Sequence, residues 1–252
     1  MDSTPLGHIR FEQPNMKKKL RAILLATFTL LVISSVPHIL GHVLWRMWNS
    51  PLAPYGRPLL QKCLSTIAVL VFIFVTGKAA CLAPQRPRKP ILILLLLPLI
   101  IVNVAKGPVV QVSLVAWLTI LAWKFLTGFW EEFCFRQLIL DQLSVLGPRL
   151  SIVIAAIFFS GIHWNRGVWS AVFAFSVGLV FSAVRDRIGM WPLVVIHFLI
   201  DFTSALFVVR WQYWNTVAKC VMIINFCLGV VLVIRFKDAD QPADATGVHA
   251  EY

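Results

Sequence analysis

Polar residues interrupt this chain rarely and in clusters, leaving apolar runs near the length of about 20 residues that a bilayer-spanning helix needs. Prolines, glycines and basic clusters divide the pattern into eight segments expected to be helices, at about 22–45, 60–80, 90–105, 112–134, 150–165, 168–184, 190–209 and 214–235. Pro51, Pro54 and Pro58 interrupt one connection and Pro84, Pro87 and Pro90 another, while Gly147 and Pro148 end the fourth helix. Proline lacks the amide hydrogen a helix interior requires, and glycine accepts the left-handed cap. The third and fifth runs are short, so tilt or neighbouring protein must cover their ends. No repeat of solenoid or transporter scale is visible. The expectation is an all-α, polytopic membrane helix bundle of about eight transmembrane helices. It comprises a basic segment 1–21, a bundle 22–236, and a polar tail 237–252 too poor in apolar residues to order itself.

Composition strengthens this picture. Hydrophobic residues make up 59% of the 252 and charged ones only 13%, whereas soluble domains carry about a quarter charged residues. Lys and Arg number 23 against 11 Asp and Glu, a net charge of +12 that would otherwise suggest nucleic acid as a partner. The basic residues lie between apolar runs instead, at Lys17, Lys18, Lys19 and Arg21 and at Arg86, Arg88 and Lys89, where they suit anionic headgroups and set topology. With the N-terminus in the cytosol, the inside segments hold 14 Lys and Arg and the outside ones 6. Both termini are therefore expected to be cytosolic. The first apolar run begins after residue 21 and lacks a small-residue cleavage site, so it reads as the first span and not as a cleaved signal. The five cysteines show no CxxC spacing and read as buried apolar residues without a disulfide framework.

Ionisable groups inside apolar runs are costly and tend to mark function. They are Lys124, Glu131, Glu132, Arg136, Asp141, His163, His197 and Asp201, with His38 and His42 on the first span. Glu132 and Arg136, four apart, share a helix face and can pair, while Glu131 points about 100° away and is free to act as a general base. Glu131 and His163 lie at similar distances on either side of the Gly147 and Pro148 break, so an antiparallel hairpin returns them to one level. His197 and Asp201 are again four apart, an arrangement in which a carboxylate can orient an imidazole. A bundle that merely pairs these glutamates with Arg136 and Lys124 remains open. A base for water and donors for an oxyanion are what peptide hydrolysis requires. Ser160 and Cys134 are weaker candidates as nucleophiles, lacking a supporting signature.

Three motifs in 120–205 resemble those of the CAAX-processing and bacteriocin-processing family of membrane proteases, which includes the type II CAAX prenyl endopeptidases. EExxxR resembles Glu131, Glu132 and Arg136; FxxxH resembles Phe159 and His163; HxxxN/D resembles His197 and Asp201. The resemblance implies an intramembrane endopeptidase with a conical cavity open to the cytosol and water activated by Glu131 with His163. It also implies oxyanion stabilisation by His197 and Asp201, with Glu132, Arg136 and Phe159 in support. An ionised Asp201 cannot donate a hydrogen bond, so it is expected to orient His197. No cofactor is expected. Short loops resemble the compact bacterial members, which implies a bacterial plasma membrane and a peptide or membrane-anchored protein as substrate, with or without a lipid.

Two alternatives stand beside this reading. The same Glu and His residues are zinc ligand types, although no HExxH is present and His38 and His42 lack a glutamate between them. A non-catalytic immunity, scaffold or transport protein would also use buried charges. Trp117, Trp123, Trp130, Trp164, Trp169 and Trp191 near the motifs are expected at interfaces or in packing.

Overall fold

The computed structural model describes residues 15–47, 56–84, 87–104, 110–206 and 214–235. The polar tail expected at 237–252 lies outside the described residues. Among the latter there are helices and short connections and no strand. Helix α1 spans Met16–Met47 and α2 Gly56–Val75; a 3-10 segment, Pro90–Leu96, leads into α3, Leu97–Val104. Ser113 caps α4, Leu114–Glu132, its hydroxyl accepting from the Ala116 amide at 3.3 Å. The helix then widens into a π-helix, Phe133–Ile139, before the short α5, Leu140–Leu143. Positive φ at Gly147, Gly167 and Gly189 marks three sharp turns, before α6 (Pro148–Gly161), α7 (Val168–Ile188) and α8 (Met190–Leu206). Helix α9 is Trp214–Ile234.

Each of the eight expected segments is helical through most of its described residues, but their limits move. The first begins at Met16, so the basic cluster forms its opening turns. The third is half 3-10 helix, and the fourth does not stop near 134 but continues through the π-helix. Four helices are long and apolar enough to cross a membrane on length and composition: Met16–Arg46, Gly56–Val75, Val168–Ile188 and Thr216–Ile234. The protein is an integral membrane bundle. Its outer surface is apolar, with Leu24, Phe28, Ile39, Ile67, Phe74 and Ile224 exposed, as lipid requires.

Helix α7 is the centre, 61% buried over its most apolar stretch against 22% or less for the other three long helices. It packs on α6 and α9; α2 lies against α1 and α4, and α4 packs on α8. Lipid supplies no hydrophobic force between helices, so close approach depends on small residues. A Cβ on Gly178 would stand 3.0 Å from the Ala156 Cα, and one on Gly229 2.8 Å from the Leu179 Cβ.

Successive helices run up and down, which sorts their ends onto two faces. On the terminal face Arg88 and Lys89 amides donate to the Arg187 carbonyl at 2.8 and 2.9 Å, and the Trp191 indole donates to the Leu82 carbonyl at 2.9 Å. On the opposite face the Val110 amide donates to the Leu206 carbonyl at 2.7 Å.

Candidate active site

Glu131 and Glu132 occupy the last two positions of α4 and are 2% and 0% exposed. Gly128, one turn earlier, lets α8 approach. A Cβ there would meet the Phe198 amide nitrogen at 3.0 Å and the Val194 carbonyl at 3.1 Å. That contact sets His197 beside the glutamates.

Each carboxylate divides its oxygens between partners. Glu132 Oε1 accepts from His197 Nδ1 at 2.7 Å, and its Oε2 pairs with Arg136 Nε at 3.3 Å. Arg136 is wholly buried inside the π-helix, its guanidinium 4.5 Å from the Phe159 ring and 5.8 Å from the Phe181 ring. Cation–π attraction and the ion pair together offset the desolvation of that charge. Glu131 Oε1 pairs with Lys62 Nζ of α2 at 3.4 Å. Its Oε2 has no hydrogen-bond partner and faces two imidazoles, with His197 Nε2 at 3.5 Å and His163 Nε2 at 3.9 Å.

His163 lies just past α6, at the head of the single turn Trp164–Arg166 and not within a helix. Its Nδ1 donates to the Phe159 carbonyl at 2.9 Å. A carbonyl only accepts, so Nδ1 carries the proton and neutral Nε2 presents a lone pair to Glu131. Glu132 likewise accepts from Nδ1 of His197 and fixes the orientation of its ring. Both rings therefore aim Nε2 at one carboxylate oxygen, close enough for one water molecule beside them to touch all three atoms.

The sequence-predicted residues thus converge, with one reassignment. Asp201 was expected to orient His197, but its Oδ2 accepts from Lys124 Nζ at 3.3 Å, and Glu132 on α4 holds the imidazole. The helical repeat made Asp201 the only partner visible along the chain, whereas the α4 and α8 contact supplies a closer one. Lys62 was missed altogether. Its signal was present: α2 contains a lysine at apolar depth and no acid, so a partner had to come from another helix. The remaining ionisable residue of this stretch, Asp141, lies away from the site, accepting from Lys78 at 2.8 Å, Gln137 at 2.7 Å and Arg185 at 2.8 Å. Arg185 also donates to the carbonyl of Arg136.

Two cavities share His163 and Arg166 in their linings. One, about 340 Å³, reaches Glu131 past His38, Lys62 and Trp130; the other, about 270 Å³, reaches His197 and Asp201 past Ser170 and Ala218. Their linings come from the end of α1, the start of α2, the end of α6, the starts of α7 and α9 and the end of α8. They therefore open on the face opposite the terminal one. Two expectations collide here, since a cytosolic cavity and cytosolic termini require the same face. Among the described residues no group of three or more His, Cys, Asp and Glu has the arrangement of a metal site.

No curated protein and no solved structure matches the chain significantly. A family model described as type II CAAX prenyl endopeptidase Rce1-like matches residues 113–203, the stretch that carries both glutamates, His163, His197 and Asp201. Over this segment the chain is similar to the type II CAAX prenyl endopeptidases, a family of membrane proteases.

Proposed function

We propose that this protein hydrolyses peptide bonds within the membrane by activating water between Glu131 and His163, without a metal. The observation that carries the reading is the convergence of Glu131 Oε2 with His197 Nε2 at 3.5 Å and His163 Nε2 at 3.9 Å, which lets one water beside them touch all three atoms. Glu131 takes one proton of that water as it attacks the scissile carbonyl, while His163 Nε2 accepts a hydrogen bond from the other and orients the lone pair. The carbonyl oxygen becomes an oxyanion. His197 can donate to it from Nε2 only as an imidazolium, whose charge the Glu132 carboxylate at 2.7 Å balances. Glu131 then returns its proton to the leaving amine, so the proton count closes. Lys124 keeps Asp201 engaged at 3.3 Å, which leaves Asp201 to shape the cavity wall and the field around His197.

The basic residues favour cytosolic termini, and the cavities open opposite to them. We therefore place the mouth on the non-cytosolic side, with peptides or membrane-anchored proteins entering there. Cleavage of a peptide library by purified protein in detergent tests the hydrolase reading. Wild type cuts, Glu131→Ala and His163→Ala at matched folding do not, and EDTA or 1,10-phenanthroline leaves the rate unchanged. Variants that cut as well as wild type overturn the assignment; loss of cutting with chelator, restored by zinc, transfers it to a metal enzyme.

A further inference from the structure

Glu131 draws its cation from a helix outside the stretch that the family model covers. That stretch is 113–203, and Lys62 belongs to α2, Gly56–Val75. A lysine near the end of a membrane helix commonly extends its ammonium to the headgroups. Lys62 turns inward instead, and its side chain is only 20% exposed. Its Nζ lies in the notch between two consecutive side chains of α4, 3.4 Å from Glu131 Oε1 and 4.5 Å from the centre of the Trp130 ring. Ion pair and cation–π contact together offset the burial of the charge.

The groups around Glu131 decide what holds it in place. Lys62 comes from α2, His163 follows α6, His197 and Asp201 belong to α8, and Glu132 and Arg136 continue its own element. His38 of α1 and Arg166 line the same cavity. Glu132 is paired with Arg136 and Asp201 with Lys124. In the neutral form both imidazoles present an Nε2 lone pair to Oε2 and repel it. The terminal torsion of a glutamate is broad, so a carboxylate with those neighbours alone swings away from them. The attraction that keeps Oε2 at the imidazoles is applied at the other oxygen, by Lys62.

We propose that Lys62 is the positioning residue of the base: it holds Oε1 so that Oε2 receives the proton of the attacking water, and it favours passing that proton on to the leaving amine. This rests on the peptidase reading and specifies how its base works. When Oε2 takes the proton, Glu131 becomes neutral and Lys62 loses its counter-charge, an unfavourable state for a buried cation. Transfer of the proton from Oε2 to the amine nitrogen, as the C–N bond breaks, restores the pair. One proton leaves water and one reaches the amine, while Lys62 keeps all of its own.

The test uses the full-length protein in detergent with a peptide that wild type cleaves, and the melting temperature of every variant is followed. Lys62→Met keeps the length of the side chain and removes its charge. It is expected to lower kcat about ten- to a hundredfold, the effect of losing one hydrogen bond to a charged group, while KM stays within about twofold. Lys62→Arg retains part of the rate. Lys62→Ala opens a gap in the wall of the cavity of about 340 Å³, and propylammonium is expected to restore its kcat saturably. Tetramethylammonium, which has the charge but no N–H, and propanol, which has no charge, do not restore it. Wild-type kcat in Lys62→Met, or a loss that follows the melting temperature and is not rescued by propylammonium, overturns the proposal and leaves the pair as a tie between α2 and α4. Equal rescue by tetramethylammonium also overturns it, because a charge without direction then suffices. A wild type that cleaves no peptide overturns the peptidase reading itself, and the role of Lys62 with it.

Discussion

Two adjacent glutamates of one helix face different tasks because their oxygens meet different partners. Glu132 has one oxygen hydrogen-bonded by His197 and the other in an ion pair with the wholly buried Arg136, so it resembles the orienting carboxylate of a catalytic triad. Glu131 Oε2 instead faces the Nε2 atoms of His163 and His197 at the cavity, the position of a base. Replacing Glu131 with Gln is expected to lower kcat by at least about a hundredfold, as loss of a general base does, with thermal stability near wild type. Glu132→Gln is expected to reduce kcat strongly as well, because the ring of His197 loses its fixed orientation, with KM little changed; steady-state kinetics on a cleaved peptide separates these effects. Asp201→Asn is expected to cost less than Glu132→Gln. An equal or larger loss would return the orienting role to Asp201.

At the scale of elements, the site depends on how closely α4 and α8 approach. The neighbours of Gly128 are the Phe198 amide nitrogen and the Val194 carbonyl, backbone atoms that cannot rotate away from a new side chain. Gly128→Val is expected to push α8 off α4 and abolish activity, while Gly128→Ala retains part of it; the ratio of kcat/KM to melting temperature across the two variants reports the displacement. The π-helix that follows Glu132 is the second such device. Widening the helix disturbs its regular hydrogen bonds, and Arg185 of α7 reaches the Arg136 carbonyl while holding Asp141. Arg185→Gln is expected to lower stability by about 1–3 kcal/mol, the range for losing charged hydrogen bonds, measured by thermal unfolding in detergent. Wild-type stability in that variant would show that Asp141 holds the turn through Lys78 and Gln137 alone.

For the whole molecule, the question is which side of the membrane reaches the cavities. Lys and Arg gather on the terminal face, and the cavities open on the other. Intact cells or sealed vesicles carrying a single Trp164→Cys substitution, in a background with the native cysteines replaced by alanine, are expected to react with a membrane-impermeant maleimide from the non-cytosolic side. Arg149→Cys, at the start of α6 on the terminal face, is expected to react only after permeabilisation. The reverse pattern would place the mouth in the cytosol and the basic clusters outside, against the charge rule.

The bundle itself was legible along the chain because a bilayer imposes one length and one polarity on every span. The pairs four residues apart were legible too, since the helical repeat alone brings Glu132 to Arg136. Even Glu131 and His163 could be placed at one level by counting from Gly147 and Pro148. What the residue order left open was every partner chosen across helices: Lys62 for Glu131, Glu132 for His197, Lys124 for Asp201, and Arg185 for the π-helix carbonyl. The π-helix escaped as well, because its sequence reads as ordinary helix. Those choices depend on crossing positions that small residues such as Gly128 and Gly178 permit. The helical repeat sets distances within one helix, whereas distances between helices arise only when the whole bundle packs.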